Sequence, residues 1–152
     1  MVETSHDILT LNGLIATVID SIDGYNESAK DVDSSRFSEL FLARANERRE
    51  VSERLRAEVT RLGGNPEDDG TILAAGHRAF VNLKSIVAAR DDKAVVAEVE
   101  RGEDHIKAKF EDALKASDLS PATREAIQSV WPSIQKGHDE MSQLKHSLET
   151  NA

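Results

Sequence analysis

Cysteine is absent from all 152 residues, which excludes disulfides, thiolate metal sites and cysteine nucleophiles. Aromatic residues make up only 4% of the chain, so Leu, Ile, Val and Ala must fill any core. Proline occurs three times, and two of those positions, Pro66 and Pro121, fall where the apolar periodicity stops or starts. Basic residues are in deficit: 19 Lys and Arg against 28 Asp and Glu leave a formal charge of −9. That sign disfavours phosphate backbones, which need cationic side chains to replace counterions, and anionic membrane surfaces. No nucleic-acid or membrane partner is therefore expected. No run approaches the ~20 apolar residues of a membrane span. The opening Met1-Val2-Glu3-Thr4-Ser5-His6-Asp7 has neither a basic region nor an apolar signal core. A cytoplasmic location is expected.

What the chain does have is helical periodicity. Ile8, Leu11, Ile15, Val18, Ile22, Tyr25 and Ala29 recur at alternating steps of three and four, which is one face of a helix packed in a bundle. The first helix is expected from about Ser5 to Lys30, with Thr4 and Asp7 resembling a capping box. The polar turn 31–35 leads to a second helix over about Arg36 to Leu62, with Phe37, Leu40, Phe41, Val51, Leu55, Val59 and Leu62 inward. Gly63-Gly64-Asn65-Pro66 ends it, since glycine suits the left-handed cap and proline follows. A short helix over about Thr71 to Ala89 comes next, then a third long helix over about Lys93 to Ala116, with Val96, Val99, Glu103, Ile106, Phe110 and Ala113 on its seam. Ser120-Pro121 supplies a cap and a first-turn proline for a fourth helix reaching about Leu148. Its Ile127, Ile134, Met141 and Leu148 are spaced by sevens, and a kink rather than a break is expected at Pro132.

The pattern predicts a single all-α domain over 5–149, with flexible ends at 1–4 and 150–152. Two antiparallel hairpins joined by a long crossover form the ferritin-like four-helix bundle. The rival up-down-up-down bundle is disfavoured by the roughly 30 residues between helices two and three, because bundle neighbours usually need only ~2–8.

Four segments resemble an uncharacterised bacterial family of ferritin-like four-helix-bundle proteins, a domain of unknown function. They are Leu11 to Ile15, Ala57 to Pro66, His77 to Lys84 and Glu100 to Asp104, and the resemblance covers roughly residues 7–147. It implies the fold and a loose association with bacterial stress functions, and no activity.

Each long helix carries one polar residue on its expected seam: Tyr25, Glu47, Glu103 and His138. A di-iron centre in this architecture needs a Glu from each of two helices and Glu-x-x-His from each of the other two. At the height of Glu47 the first helix offers only Ile15, Val18 and Ile22, while Asp20, Asp23 and Glu27 point to water. Helix two has Glu47-x-x-Glu50, and helix four has Gln135-x-x-His138. Arg44 and Arg48 flank Glu47 with positive charge. The ligand set is degenerate, so no metal, cofactor or catalytic residue is expected. Were a metal to bind, iron or zinc would be held by Glu47, Glu100, Glu103 and His138. Otherwise Glu103 is expected to hydrogen-bond His138, and Glu47 to pair with Arg44 or Arg48. Gly102 and Gly137, preceding Glu103 and His138, suggest close approach of the last two helices.

Three functions fit these residues. The first is a non-enzymatic, stress-associated bundle. The second is a metal-binding protein or oxidase using Glu103 and His138. The third is an adaptor that binds a protein partner through Phe80 and Val81 on the crossover. The crossover leaves an apolar strip for which a homodimer contact is expected.

Overall fold

The computed structural model describes residues 2–68 and 92–150, and these form four α-helices with no strand among them. They are α1 (Val2–Asp31), α2 (Ser35–Arg61), α3 (Asp92–Lys115) and α4 (Pro121–Thr150). Each boundary lies within about three residues of the one expected from apolar periodicity and capping. The expected helix over Thr71 to Ala89 lies outside the described residues.

Local chemistry sets most of the ends. Ser34 caps α2 by accepting a hydrogen bond from the Phe37 amide, 3.3 Å away. Gly63 has φ of 85°, and the bonds Gly63 N–H to Thr60 O and Gly64 N–H to Val59 O close a Schellman turn after α2. The second glycine is needed for space: a Cβ at Gly64 would lie 2.9 Å from Ile8 Cδ1. The expected capping box at Thr4 and Asp7 does not start α1, which is already helical at Val2. Asp7 is instead buried and reaches the other hairpin. Its carboxylate accepts hydrogen bonds from the Ser120 hydroxyl at 2.5 Å and the Thr123 hydroxyl at 3.0 Å. Pro132 sits inside α4, and the helix continues past it.

The neighbours are α1 with α2, α3 with α4, α1 with α3, and α2 with α4. The diagonals are therefore α1/α4 and α2/α3. Directions follow from two contacts. Asp7, early in α1, meets the α3–α4 turn, and Asp92 at the start of α3 accepts from the Asp33 and Ser34 amides at the α1–α2 turn. Hence α2 and α3 are parallel and α1 and α3 antiparallel. Helix α2, 27 residues long, spans ~40 Å at 1.5 Å per residue. The connection from Arg61 to Asp92 must cover that length to return to the starting end. An up-down-up-down bundle is thereby excluded.

The core falls into two apolar blocks. One gathers Leu11, Ile15 and Val18 with Val51, Leu55, Ile106, Phe110, Ile127 and Ile134. The other gathers Tyr25, Ala29, Phe37, Phe41, Val95, Val96 and Met141. Between them, at mid-height, lies a polar layer.

Candidate functional site

Arg48 is the centre of that layer. It follows Phe41 and Arg44 at the steps of three and four that continue to Val51 and Leu55, so the helix carries its guanidinium to the core. The side chain is 0% exposed and Glu103 2%. Arg48 Nη1 donates to Glu103 Oε2 at 2.8 Å, and Nη2 donates to Oε1 at 2.6 Å. This two-pronged match between planar groups is what arginine does best with a carboxylate. Nη1 also donates to the Ser21 hydroxyl of α1 at 2.9 Å. Tyr25 closes the layer from α1, with the Arg48 guanidinium 5.9 Å from its ring centre. Its hydroxyl lies beside the Glu103 carboxylate without a hydrogen bond of ordinary geometry. Burial, reinforced by the Glu103 charge, pushes that phenol well above its usual pKa, against the opposing pull of Arg48 and Arg44.

Arg44 forms a second cation in the layer. It is 2% exposed and pairs with Glu47 at 2.5 Å and with Glu140 of α4. Burial works against its charge, but Glu47, Tyr25 and Glu140 outweigh burial and raise its pKa. Gly137 supplies the space for both arginines. A Cβ there would lie 2.4 Å from Arg48 Nη2, 3.0 Å from Glu103 Oε1 and 3.2 Å from Arg44 Cδ.

The expected residues are redistributed. Tyr25 and Glu103 are buried as expected. Glu47 is not on the seam: its side chain is 37% exposed and neutralises Arg44 from the rim. The Glu103–His138 hydrogen bond does not form, because Gly137 rather than His138 faces the layer and Arg48 takes both oxygens of Glu103. Glu50 and Gln135 are exposed. A Cβ added at Gly102 would meet nothing within 4 Å, so this glycine plays no part in helix approach. The expected set Glu47, Glu100, Glu103 and His138 is therefore split between the rim, the core and the α3–α4 surface.

His138 and Glu100 do come together on that surface. His138 Nε2 lies 2.7 Å from Asp104 Oδ1 and Nδ1 lies 3.1 Å from Asp139 Oδ1. Partial burial lowers the imidazole's affinity for a proton, but the bonds to Asp139 and Asp104 outweigh it and the pKa rises above 6.5. Lys107 of α3 is the opposing charge. Because the folded pKa lies above the unfolded one, the stabilisation is complete below ~6.5 and fades as pH rises through the folded value. In chelator-containing buffer, urea unfolding should show His138→Gln to be more costly near pH 6 than near pH 9. An unchanged difference would mean that the two carboxylates do not hold an imidazolium.

Elsewhere, two of the segments that carried the family resemblance meet. Asn12 donates to the Asn65 carbonyl at 3.0 Å and accepts from the Glu67 amide at 2.8 Å, fastening the chain after α2 onto α1. A groove of about 650 Å³ between α1 and α3 is lined by residues including His6, Leu9, Gly13, His105 and Lys109. His6 is held by Asp118 at 2.9 Å.

Residues 7–116 match a family described only as a domain of unknown function, DUF2383, and the chain belongs to that family. The match ends at the close of α3, short of the 147 expected from the four segments, so the whole of α4 and its Gly137 lie beyond it. No curated protein matches the chain. No described helix is long and apolar enough to cross a membrane.

Proposed function

We propose that this chain is a non-enzymatic, ferritin-like bundle in which an internal ion pair stands where a di-iron relative would hold its metals. The observation that carries this reading is the Arg48 guanidinium, bound through both terminal nitrogens to Glu103 at the middle of the bundle. A carboxylate so engaged is neutralised and has a site on each oxygen already taken by a donor, and a second buried cation, Arg44, repels any metal ion nearby. Helix α1 offers Ser21 at this level instead of a carboxylate. The order of neighbours, with α2 and α3 parallel on a diagonal, supports the ferritin-like comparison. The stress association rests on the family resemblance alone. The cytoplasmic location and the lack of a nucleic-acid partner rest on composition and charge. The adaptor reading rests on Phe80 and Val81, and the homodimer reading on the apolar strip expected beside the crossover helix; both residues and that helix lie outside the described residues.

Anaerobic titration with Fe²⁺ followed by oxygen uptake tests the proposal. No stoichiometric iron in the bundle core and no ferroxidase activity are expected. Two irons per chain, lost on Glu103→Gln, would overturn it.

A further inference from the structure

We propose that Glu100, Asp104 and His138 form a zinc-type cation site on the α3–α4 surface, separate from the core pair. Glu100 and Asp104 are four residues apart, so both carboxylates stand on the same face of α3. That face meets His138 of α4, and one ligand atom from each of the three residues lies within 4.8 Å of the others. Bonds of ~2.0–2.2 Å hold ligand atoms ~3–4 Å apart, so only small side-chain movements are needed. Asp104, with 56% of its side chain exposed, is free to make them.

The surroundings are those of a metal-binding histidine. Asp139 engages Nδ1 at 3.1 Å, which orients the ring and leaves Nε2 toward the two α3 carboxylates. Metal-bound histidines almost always have such a partner on the other nitrogen. One nitrogen and two oxygen donors suit zinc and its transition-metal neighbours, whereas calcium and magnesium favour oxygen throughout. Three protein ligands leave a tetrahedral ion one position for water or an outside ligand. Two lysines oppose occupancy. Lys145 Nζ lies 3.4 Å from Glu100 and must yield that contact, with Glu149 at 3.9 Å as its other partner. Lys107 adds a repulsive charge near His138. These two charges make the site a weak, exchangeable one rather than a permanent structural centre.

Calorimetric titration of metal-stripped full-length protein with Zn²⁺, with Co²⁺ absorption as a second readout, is the test. One equivalent should bind. His138→Ala and Asp104→Asn should each weaken it by about tenfold or more, and Asp139→Asn by ~10–100-fold, as measured for such supporting carboxylates. Lys145→Ala should tighten it. Excess Mg²⁺ or Ca²⁺ should not displace the zinc. Glu103→Gln should leave binding unchanged, which separates this site from the core whatever the iron experiment gives. Circular dichroism of each variant confirms that the bundle is intact. Failure to bind one equivalent, binding undiminished in His138→Ala, loss in a His105→Ala/His146→Ala control, or displacement by Ca²⁺ would each overturn the assignment.

Discussion

Replacing Glu103 by leucine is expected to destabilise the protein by ~3–5 kcal/mol, because it strands the buried charge of Arg48. For a chain of this size that is a fall of roughly 10 °C in melting temperature. Arg48→Met should cost a similar amount, since it takes the two-pronged donor from a buried carboxylate, and the neighbouring cation Arg44 is already engaged by Glu47 and Glu140. The double variant Arg48→Met/Glu103→Leu should recover most of the loss. Removing both charges also removes the cost of desolvating them, and buried pairs replaced by apolar residues are often neutral or better. Ser21, deprived of its donor, and the volume shaped by Gly137 keep the recovery incomplete. Chemical denaturation of the wild type, both single variants and the double variant forms a complete cycle. Additive losses in the double variant would show that the two side chains do not act as a pair.

The second large effect is expected at Gly137. Glycine in a helix interior ordinarily gains about 1 kcal/mol on conversion to alanine. Here the new methyl would lie 2.4 Å from Arg48 Nη2, and that fully buried guanidinium can yield only by giving up its bonds to Glu103 and Ser21. Overpacking of this kind costs ~1–3 kcal/mol, so Gly137→Ala should be net destabilising despite the better helix former. Gly102→Ala is the matching control: nothing lies within 4 Å of its new methyl, and it should stabilise by ~0.5–1 kcal/mol. Introduced into the Arg48→Met/Glu103→Leu background, Gly137→Ala should lose most of its penalty. A Gly137→Ala protein as stable as Gly102→Ala would mean that the arginine layer is looser than its distances indicate.

The helices and their turns were legible in the sequence because they depend on local signals. Alternating apolar spacing, the polar turn 31–35, the Ser120 cap and the Gly63-Gly64 stop act within one turn of chain. The polar layer was half legible. Glu103 falls on the seam by simple counting, as does Tyr25. Arg44 and Arg48 fall there too, at Phe41, Arg44, Arg48, Val51 and Leu55, but an arginine at a core position reads as a surface residue until its partner is known. The same counting on α4 runs through Ile127, Val130, Ile134, Gly137 and Met141. It puts Gly137, not His138, inward, and the absence of a side chain there is the mark of a large group arriving from elsewhere. The Asp104–His138 contact joins residues far apart in sequence, and its geometry depends on how α3 and α4 are rotated about their axes. Periodicity gives that rotation only to within about one residue.

The clasp of two aspartates has a consequence for how the molecule comes apart. Asp7 belongs to the first hairpin and serves the start of α4, where it holds the Ser120 and Thr123 hydroxyls. Asp92 belongs to the second hairpin and serves the turn of the first, where it holds the Asp33 and Ser34 amides at 2.8 and 2.9 Å. Each hairpin therefore leaves its own turn incomplete and lends a carboxylate to the other's, at opposite ends of the bundle. Neither half can separate from its mate without exposing donors that it cannot satisfy by itself. The two halves are thus bound into one cooperative unit, in which opening at one end works against a tie at the other, and intermediates with a single intact hairpin are disfavoured.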